Sequence, residues 1–150
     1  MQQIKKITLL AVLACGSMAL CAQQAQQKKV EIKHLTEAEF IQKVYDVNAG
    51  DKAVFKGKKS VIVDFYADWC GPCKRLAPYL EQALVDYKGK IEIYKVNVDK
   101  EKALAQKFGV SSIPLLLFFP VKGKPKQVLG FRPKEEIYGY IEELLLKTEK

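Results

Sequence analysis

Trp69-Cys70-Gly71-Pro72-Cys73 is the stretch whose reading decides the fold. Before it runs Val61-Ile62-Val63-Asp64-Phe65-Tyr66, an apolar segment suited to a buried strand. After it, Leu76, Ala77, Leu80, Ala83 and Leu84 recur at helical spacing. The pattern is strand, tight turn, helix, and it places Cys70 at a helix N-terminus. Unpaired backbone N–H groups and the positive end of the helix dipole stabilise an anion there, so Cys70 is expected to ionise well below the ordinary thiol range. Cys73, one turn further in, is expected to be the more buried thiol. Two cysteines at this spacing can close a small disulfide and reopen it, which makes them an exchanging dithiol rather than a staple.

The rest of the composition supports one folded unit. A chain of 150 residues, 49% hydrophobic and 28% charged, is long enough for a single domain with a real core. Lys5 and Lys6 precede an apolar run over residues 7–20, the layout of a secretory signal peptide, with cleavage expected near Ala19-Leu20-Cys21-Ala22. Residues 1–22 are therefore read as the signal, 23–29 as a flexible Gln-rich spacer and 30–150 as the folded domain. A second reading takes Val12-Leu13-Ala14-Cys15 as a lipobox-like sequence with Cys15 lipidated, although Leu13 fits that pattern poorly. Removing Lys5 and Lys6 leaves 23 basic residues against 17 acidic ones. The lysines are scattered and only two residues are arginine, which reads as a solvated surface rather than a nucleic-acid site.

Cysteine usage narrows the chemistry. Cys15 and Cys21 lie in the signal, so the domain keeps only Cys70 and Cys73, too close together to cross-link much chain. A zinc ribbon would need a second pair or nearby histidines, and the one histidine is His34, read as a strand-end surface residue without a partner cluster. No metal is expected.

Along the chain, residues 30–35 read as a first strand. Thr36 with Glu39 makes a capping box for a helix whose apolar stripe is Phe40, Ile41, Val44, Tyr45 and Val47, ending at Asn48-Ala49-Gly50. Residues 51–60 form a lysine-rich connection, read as a solvated loop, with partner docking as the alternative. The active strand and helix follow, Pro78 kinking the helix and Gly89 lying in its stop. Next come a strand at 91–98, a short helix at 100–108, a central strand at 115–119, a turn with Gly123, an edge strand at 126–130, and a last helix opened by Pro133. Asp99 is read as serving the N-terminus of the short helix. The order βαβαβαββα, with parallel strands first and an antiparallel hairpin last, gives a three-layer α/β/α sandwich around a five-stranded mixed sheet.

The run Val63-Asp64-Phe65-Tyr66-Ala67-Asp68-Trp69-Cys70-Gly71-Pro72-Cys73-Lys74 resembles the active-site signature of the thioredoxin family. Lys95-Val96-Asn97-Val98-Asp99, Phe108-Gly109-Val110, Ile113-Pro114, Gly123 and Gly130 continue the likeness in order, from Val30 to the C-terminus. The resemblance implies the thioredoxin fold and a thiol-disulfide oxidoreductase without a bound cofactor. Cys70 is then the nucleophile that forms a mixed disulfide, and Cys73 resolves it. Gly71 and Pro72 shape the turn and set the redox poise; Gly-Pro at this place goes with reductants in the family. Asp64, inside an apolar strand, has its pKa raised by desolvation and can pass a proton to or from Cys73, with Lys95 on the adjacent strand modulating it. Pro114 is expected to be cis, with Ile113 offering its backbone to an extended peptide. Trp69 gives an apolar rim that shields the thiols, and Gly130 lets substrate backbone approach.

These features together read as an exported, periplasmic-type reductant of disulfide-containing proteins, recharged through a membrane thiol relay, with monomer as the default state. Alternatives are a net oxidant, a reductant dedicated to cytochrome c maturation, or a non-catalytic module that holds clients at Ile113 and Pro114.

Overall fold

A computed structural model describes residues 30–50 and 54–147. The expected signal, spacer and Cys15 lie outside the described residues. The elements are β1 (Lys33–His34), α1 (Glu37–Lys43), β2 (Ser60–Tyr66), α2 (Gly71–Asp86), β3 (Ile91–Asn97), α3 (Lys102–Lys107), β4 (Leu115–Phe119), β5 (Lys126–Leu129) and α4 (Lys134–Tyr140), the last continued by a π-helical segment over Ile141–Leu146. They build one five-stranded sheet in the order β1-β3-β2-β4-β5. β1 and β2 both run parallel to β3, β4 runs antiparallel to β2, and β5 antiparallel to β4.

Alternation along β2 sorts the two faces. Val61, Val63 and Phe65 join a cluster with Phe40, Leu104 and Phe119 under α1 and α3, while Ile62 faces Leu76 and Leu80 of α2, Ile137 of α4 and Ile141 of the π-helical segment. Every residue of β2 is buried, as a central strand covered on both faces requires. The result is the expected three-layer α/β/α sandwich around a five-stranded mixed sheet. Among the described residues no helix is long and apolar enough to cross a membrane.

Several boundaries differ from the sequence reading. The first strand shrinks to two residues, because only Lys33 and His34 pair with β3. The capping box forms as expected, Thr36 accepting from the Glu39 N–H and Glu39 reaching back. The helix nevertheless stops at Lys43 rather than running to Asn48. Tyr45 pairs with Phe55, and the Lys56 N–H bonds to the Val44 carbonyl at 2.9 Å, so the connection takes up backbone groups that a longer helix would have used. That connection is consequently not a purely solvated loop: Phe55 stacks on Phe119 at 6.2 Å between ring centroids. α2 runs unbroken through Pro78, which is exposed, so the carbonyl freed by its missing N–H lies on the solvent side. The short helix begins at Lys102, two residues later than expected, because the Asn97 carbonyl first accepts from Lys100 and Glu101 in a turn.

Phe119 is the hub of the lower core, with Phe40, Tyr45, Phe55 and Phe108 around it at 5.6 to 6.2 Å. Phe119→Ala should cost about 3–5 kcal/mol in urea unfolding. Leu129→Ala, on the edge strand and 49% exposed, should stay within about 0.5 kcal/mol. Equal losses at the two positions would refute the assignment of Phe119 to the core's centre.

Candidate active site

The chain leaves β2 at Tyr66, turns through Ala67, Asp68 and Trp69, and enters α2 with Cys70 as its N-cap. Cys70 has extended backbone angles, φ −76° and ψ 106°, and its Sγ accepts the Cys73 N–H at 3.2 Å. Gly71 and Pro72 fill the first two helical positions, where proline's missing N–H would have had no helical partner anyway. Cys70 and Cys73 are joined by a disulfide with their Cα atoms 5.3 Å apart. Sixteen residues of helix stand behind that end and no acidic residue occupies the first turn, so the field there favours an anion.

The expected contrast in burial is not present: Cys70 is 3% and Cys73 2% exposed. Both sulfurs sit in a small cluster with Tyr66 and Ala67, against which Val98 and Ile113 pack. Trp69 directly precedes Cys70 in the chain. It stands 71% exposed, with its indole N–H donated to Asp99 at 2.9 Å. That bond also corrects the role of Asp99, which caps no helix; its carboxylate ties the turn after β2 to the turn after β3. Asn97 makes the second tie, donating to Asp68 at 3.2 Å and accepting from the Asp99 N–H at 2.9 Å.

Across the dithiol lies the Ile113–Pro114 peptide bond, which is cis, with Ile113 half-buried and Pro114 buried. The Pro114 carbonyl accepts the Gly130 N–H at 2.8 Å. Gly130 has φ +86°, a conformation that costs any L side chain about 1–2 kcal/mol, and a Cβ there would meet nothing within 4 Å. Backbone angle, rather than crowding, therefore calls for glycine at this position.

Asp64 lies two residues before Tyr66 on the face of β2 that carries α2. It is fully buried, and neither carboxylate oxygen has a hydrogen-bond partner. Desolvation raises its pKa to about 7, against a smaller opposing pull from Lys95. Lys95 is its register partner on β3, yet the ammonium sits 4.3 Å from the centre of the Tyr66 ring instead of on the carboxylate.

His34 is exposed at the end of β1 as expected but does have a partner. Its Nδ1 lies 3.0 Å from the Tyr66 hydroxyl, and burial, followed by the charge of Lys95, lowers its pKa. An open cavity of about 310 Å³ gathers His34, Tyr66, Asp68, Cys73, Lys74 and Lys95 on its walls. The sequence reading missed Tyr66, Val98, Asn97 and the His34 contact. The apolar ends of β2 and β3 carried a signal for the first two, while the other two depend on side-chain reach that spacing does not reveal.

The Asp64 carboxyl is protonated in the fold up to about pH 7 and, in the unfolded chain, only up to the usual carboxylate range. The folded state thus binds the extra proton between those values, and the stability tied to it is lost as pH rises through about 7. In the oxidised protein, the stability of wild type relative to Asp64→Asn should fall by on the order of 3 kcal/mol between pH 4 and pH 8. A wild-type-minus-variant difference in urea unfolding that stays flat with pH would contradict a raised Asp64.

Comparison with known proteins agrees with this geometry. The thioredoxin family model matches residues 31–143. The thioredoxin of Borreliella burgdorferi is 42% identical over 109 residues, covering 73% of this chain and 93% of that protein. The thioredoxin of Staphylococcus haemolyticus is 46% identical over 97 residues, 65% of this chain and 90% of the relative. The chloroplastic M-type thioredoxin of Spinacia oleracea is 36% identical over 110 residues, 72% of this chain and 61% of that longer protein. With its mixed sheet, its dithiol at the start of α2 and these relatives, the chain belongs to the thioredoxin family of disulfide oxidoreductases, whose redox group is the dithiol itself and which act on disulfide-containing proteins without a bound cofactor.

Proposed function

We propose that the protein works as a reductant of protein disulfides outside the cytoplasm. The observation that carries the chemistry is the Cys70–Cys73 pair at the head of α2, with an unpartnered carboxyl, Asp64, buried on the same side of the sheet. In the reduced protein, Cys70 thiolate, stabilised by the helix end and by the Cys73 N–H, attacks one sulfur of a substrate disulfide. A Cys70–substrate disulfide forms, and the departing substrate thiolate takes a proton from water. Cys73 then gives its proton to the Asp64 carboxylate and attacks Cys70 Sγ. The substrate's second thiolate leaves and is protonated in turn, and the protein is left as the disulfide. Two electrons pass to the substrate. Lys95 acts on Asp64 by charge and not by a hydrogen bond, which keeps the carboxyl near the middle of its titration at neutral pH.

Ile113 and the cis Pro114 form one wall of the substrate groove, with exposed Trp69 as a rim and Gly130 holding the Pro114 carbonyl in place. Gly71 and Pro72 set the poise toward reduction. The apolar run over 7–20 after Lys5 and Lys6 supports export to the periplasm, with Cys15 as a candidate lipid site. An exported reductant needs its electrons from a donor dithiol that spans the membrane.

Insulin-disulfide reduction should be lost by more than about a hundredfold in Cys70→Ser, while Cys73→Ser should accumulate the mixed disulfide. Equilibration with thiol/disulfide buffers should give a potential near about −270 mV, the value typical of thioredoxins; one near about −120 mV would make the protein an oxidant and overturn the proposed direction. Recovery of the tagged chain in the cytoplasmic fraction would overturn export.

A further inference from the structure

Lysines scattered along the sequence converge in the fold. Lys58 and Lys59 precede β2, Lys88 and Lys90 precede β3, and Lys122 and Lys124 sit between β4 and β5. Because β2 and β3 are parallel and β4 is antiparallel to β2, these three segments meet at one end of the sheet, the end away from the dithiol. All six are exposed, and none pairs with a carboxylate among the described residues. Lys58, Lys59, Lys90 and Lys122 share the wall of one open concavity of about 760 Å³ with Val121, itself 39% exposed. The acidic residues of this end are mostly engaged elsewhere. Asp46 pairs with Lys56 at 3.2 Å, and Asp86 accepts from Gln82 and Tyr138. Glu142 is the carboxylate on the concavity's wall. At the dithiol end, by contrast, Asp68, Asp99 and Glu101 alternate with Lys74, Arg75 and Lys100.

The chain also arrives at the lysine end. β1 is parallel to β3, with Lys33 opposite Tyr94, so residues preceding β1 come from the side where β3 begins. Twenty-nine residues precede the described part, among them the apolar run over 7–20 and, directly before Val30, Lys28 and Lys29. The chain that leads into β1 therefore enters the fold at the lysine pole.

We propose that this pole docks on the surface of an anionic lipid bilayer, leaving the dithiol on the far side, open to protein substrates. Six cations spread over three loops, with Glu142 alone among carboxylates on the concavity's wall and with an apolar tip among them, match a plane of anionic headgroups better than a single bound ion. Each lysine held within a Debye length of such a surface strengthens partitioning by roughly fivefold. The proposal concerns the surface alone and is independent of the direction of electron flow and of export.

The test uses the full chain with vesicles of phosphatidylcholine, alone or mixed with phosphatidylglycerol. Sedimentation should show stronger binding to the anionic vesicles. The triple variant Lys58→Gln, Lys90→Gln, Lys122→Gln should lose at least about tenfold of that preference. A control with the same charge change, Lys74→Gln, Lys100→Gln, Lys102→Gln, should lose less than about twofold; its positions lie at the dithiol end, away from the proposed pole, and are screened over a Debye length. Trp69, the one tryptophan in the sequence, reports orientation, since it lies beyond the far end of β2, roughly 20 Å from the lysine end at the rise of a strand. Brominated lipids should leave its fluorescence unquenched in the bound protein. Equal losses in the two triple variants, indifference to phosphatidylglycerol, or quenching of Trp69 would each overturn the proposal. So would binding to polyglutamate through these lysines in place of vesicles, which would assign the surface to an acidic protein.

Discussion

A carboxyl group inside a sheet, with no hydrogen bond to either oxygen, is a cost that a fold bears only if the surrounding structure is secure. Asp64 occupies the fifth position of a strand that is buried from end to end, between β3 on one side and β4 on the other. Ladders on both sides hold β2 in register, and the two core faces give that register only one acceptable phase. Slipping it by a single residue would turn Val61, Val63 and Phe65 toward α2 and send Asp64 into the aromatic cluster around Phe119. The cost of the buried acid is thus spread over the best-fixed element of the molecule, and the same fixation aims the chain leaving Tyr66 into the turn that carries the thiols.

The site draws on four separate pieces of chain because of how the strands run. β2 and β3 end on the same side, β4 starts there and β5 ends there, so their loops converge at the head of α2. Ligand sites of α/β sheets commonly lie outside the carboxyl ends of their parallel strands for this reason. Convergence alone does not give a rigid site. Asn97 bonded to Asp68, Trp69 to Asp99, and Gly130 to the Pro114 carbonyl join the loops pairwise. Each bond closes a gap between segments far apart in sequence, so the loops share the rigidity of the strands beneath them.

Those cross-loop bonds also mark where the sequence stops being informative. β4 lies at Leu115–Phe119 as read, since an unbroken apolar run bounded by two prolines has no competing pattern. The capping box of Thr36 and Glu39 was legible because both partners are local. The end of α1 was not, because Tyr45 is taken by Phe55 across a connection whose lysines suggested only solvent. Asp99 sits just ahead of a helix and looks like its cap, but the indole of Trp69, thirty positions away, claims it. The dithiol, Asp64, Lys95 and the cis proline stood out through residue type and order. Their neighbours Tyr66, Val98 and His34 did not, because what distinguishes them is the company they keep in three dimensions.

Lys95 shows how far such company can matter. An ammonium bonded directly to Asp64 would hold that carboxyl ionised throughout the neutral range and leave it a poor partner for a proton. An ammonium absent altogether would leave desolvation unopposed and the group protonated well above neutrality. In this protein the ammonium lies over the Tyr66 ring, 4.3 Å from its centre, and the hydroxyl of that ring meets His34. From there Lys95 lowers Asp64 by its charge less than burial raises it, and the carboxyl titrates at about 7. Tyr66 therefore does more than fill the space behind the thiols. By giving Lys95 a place to rest beside Asp64 instead of on it, the ring leaves the acid able both to accept and to return a proton at the pH where the dithiol is proposed to work.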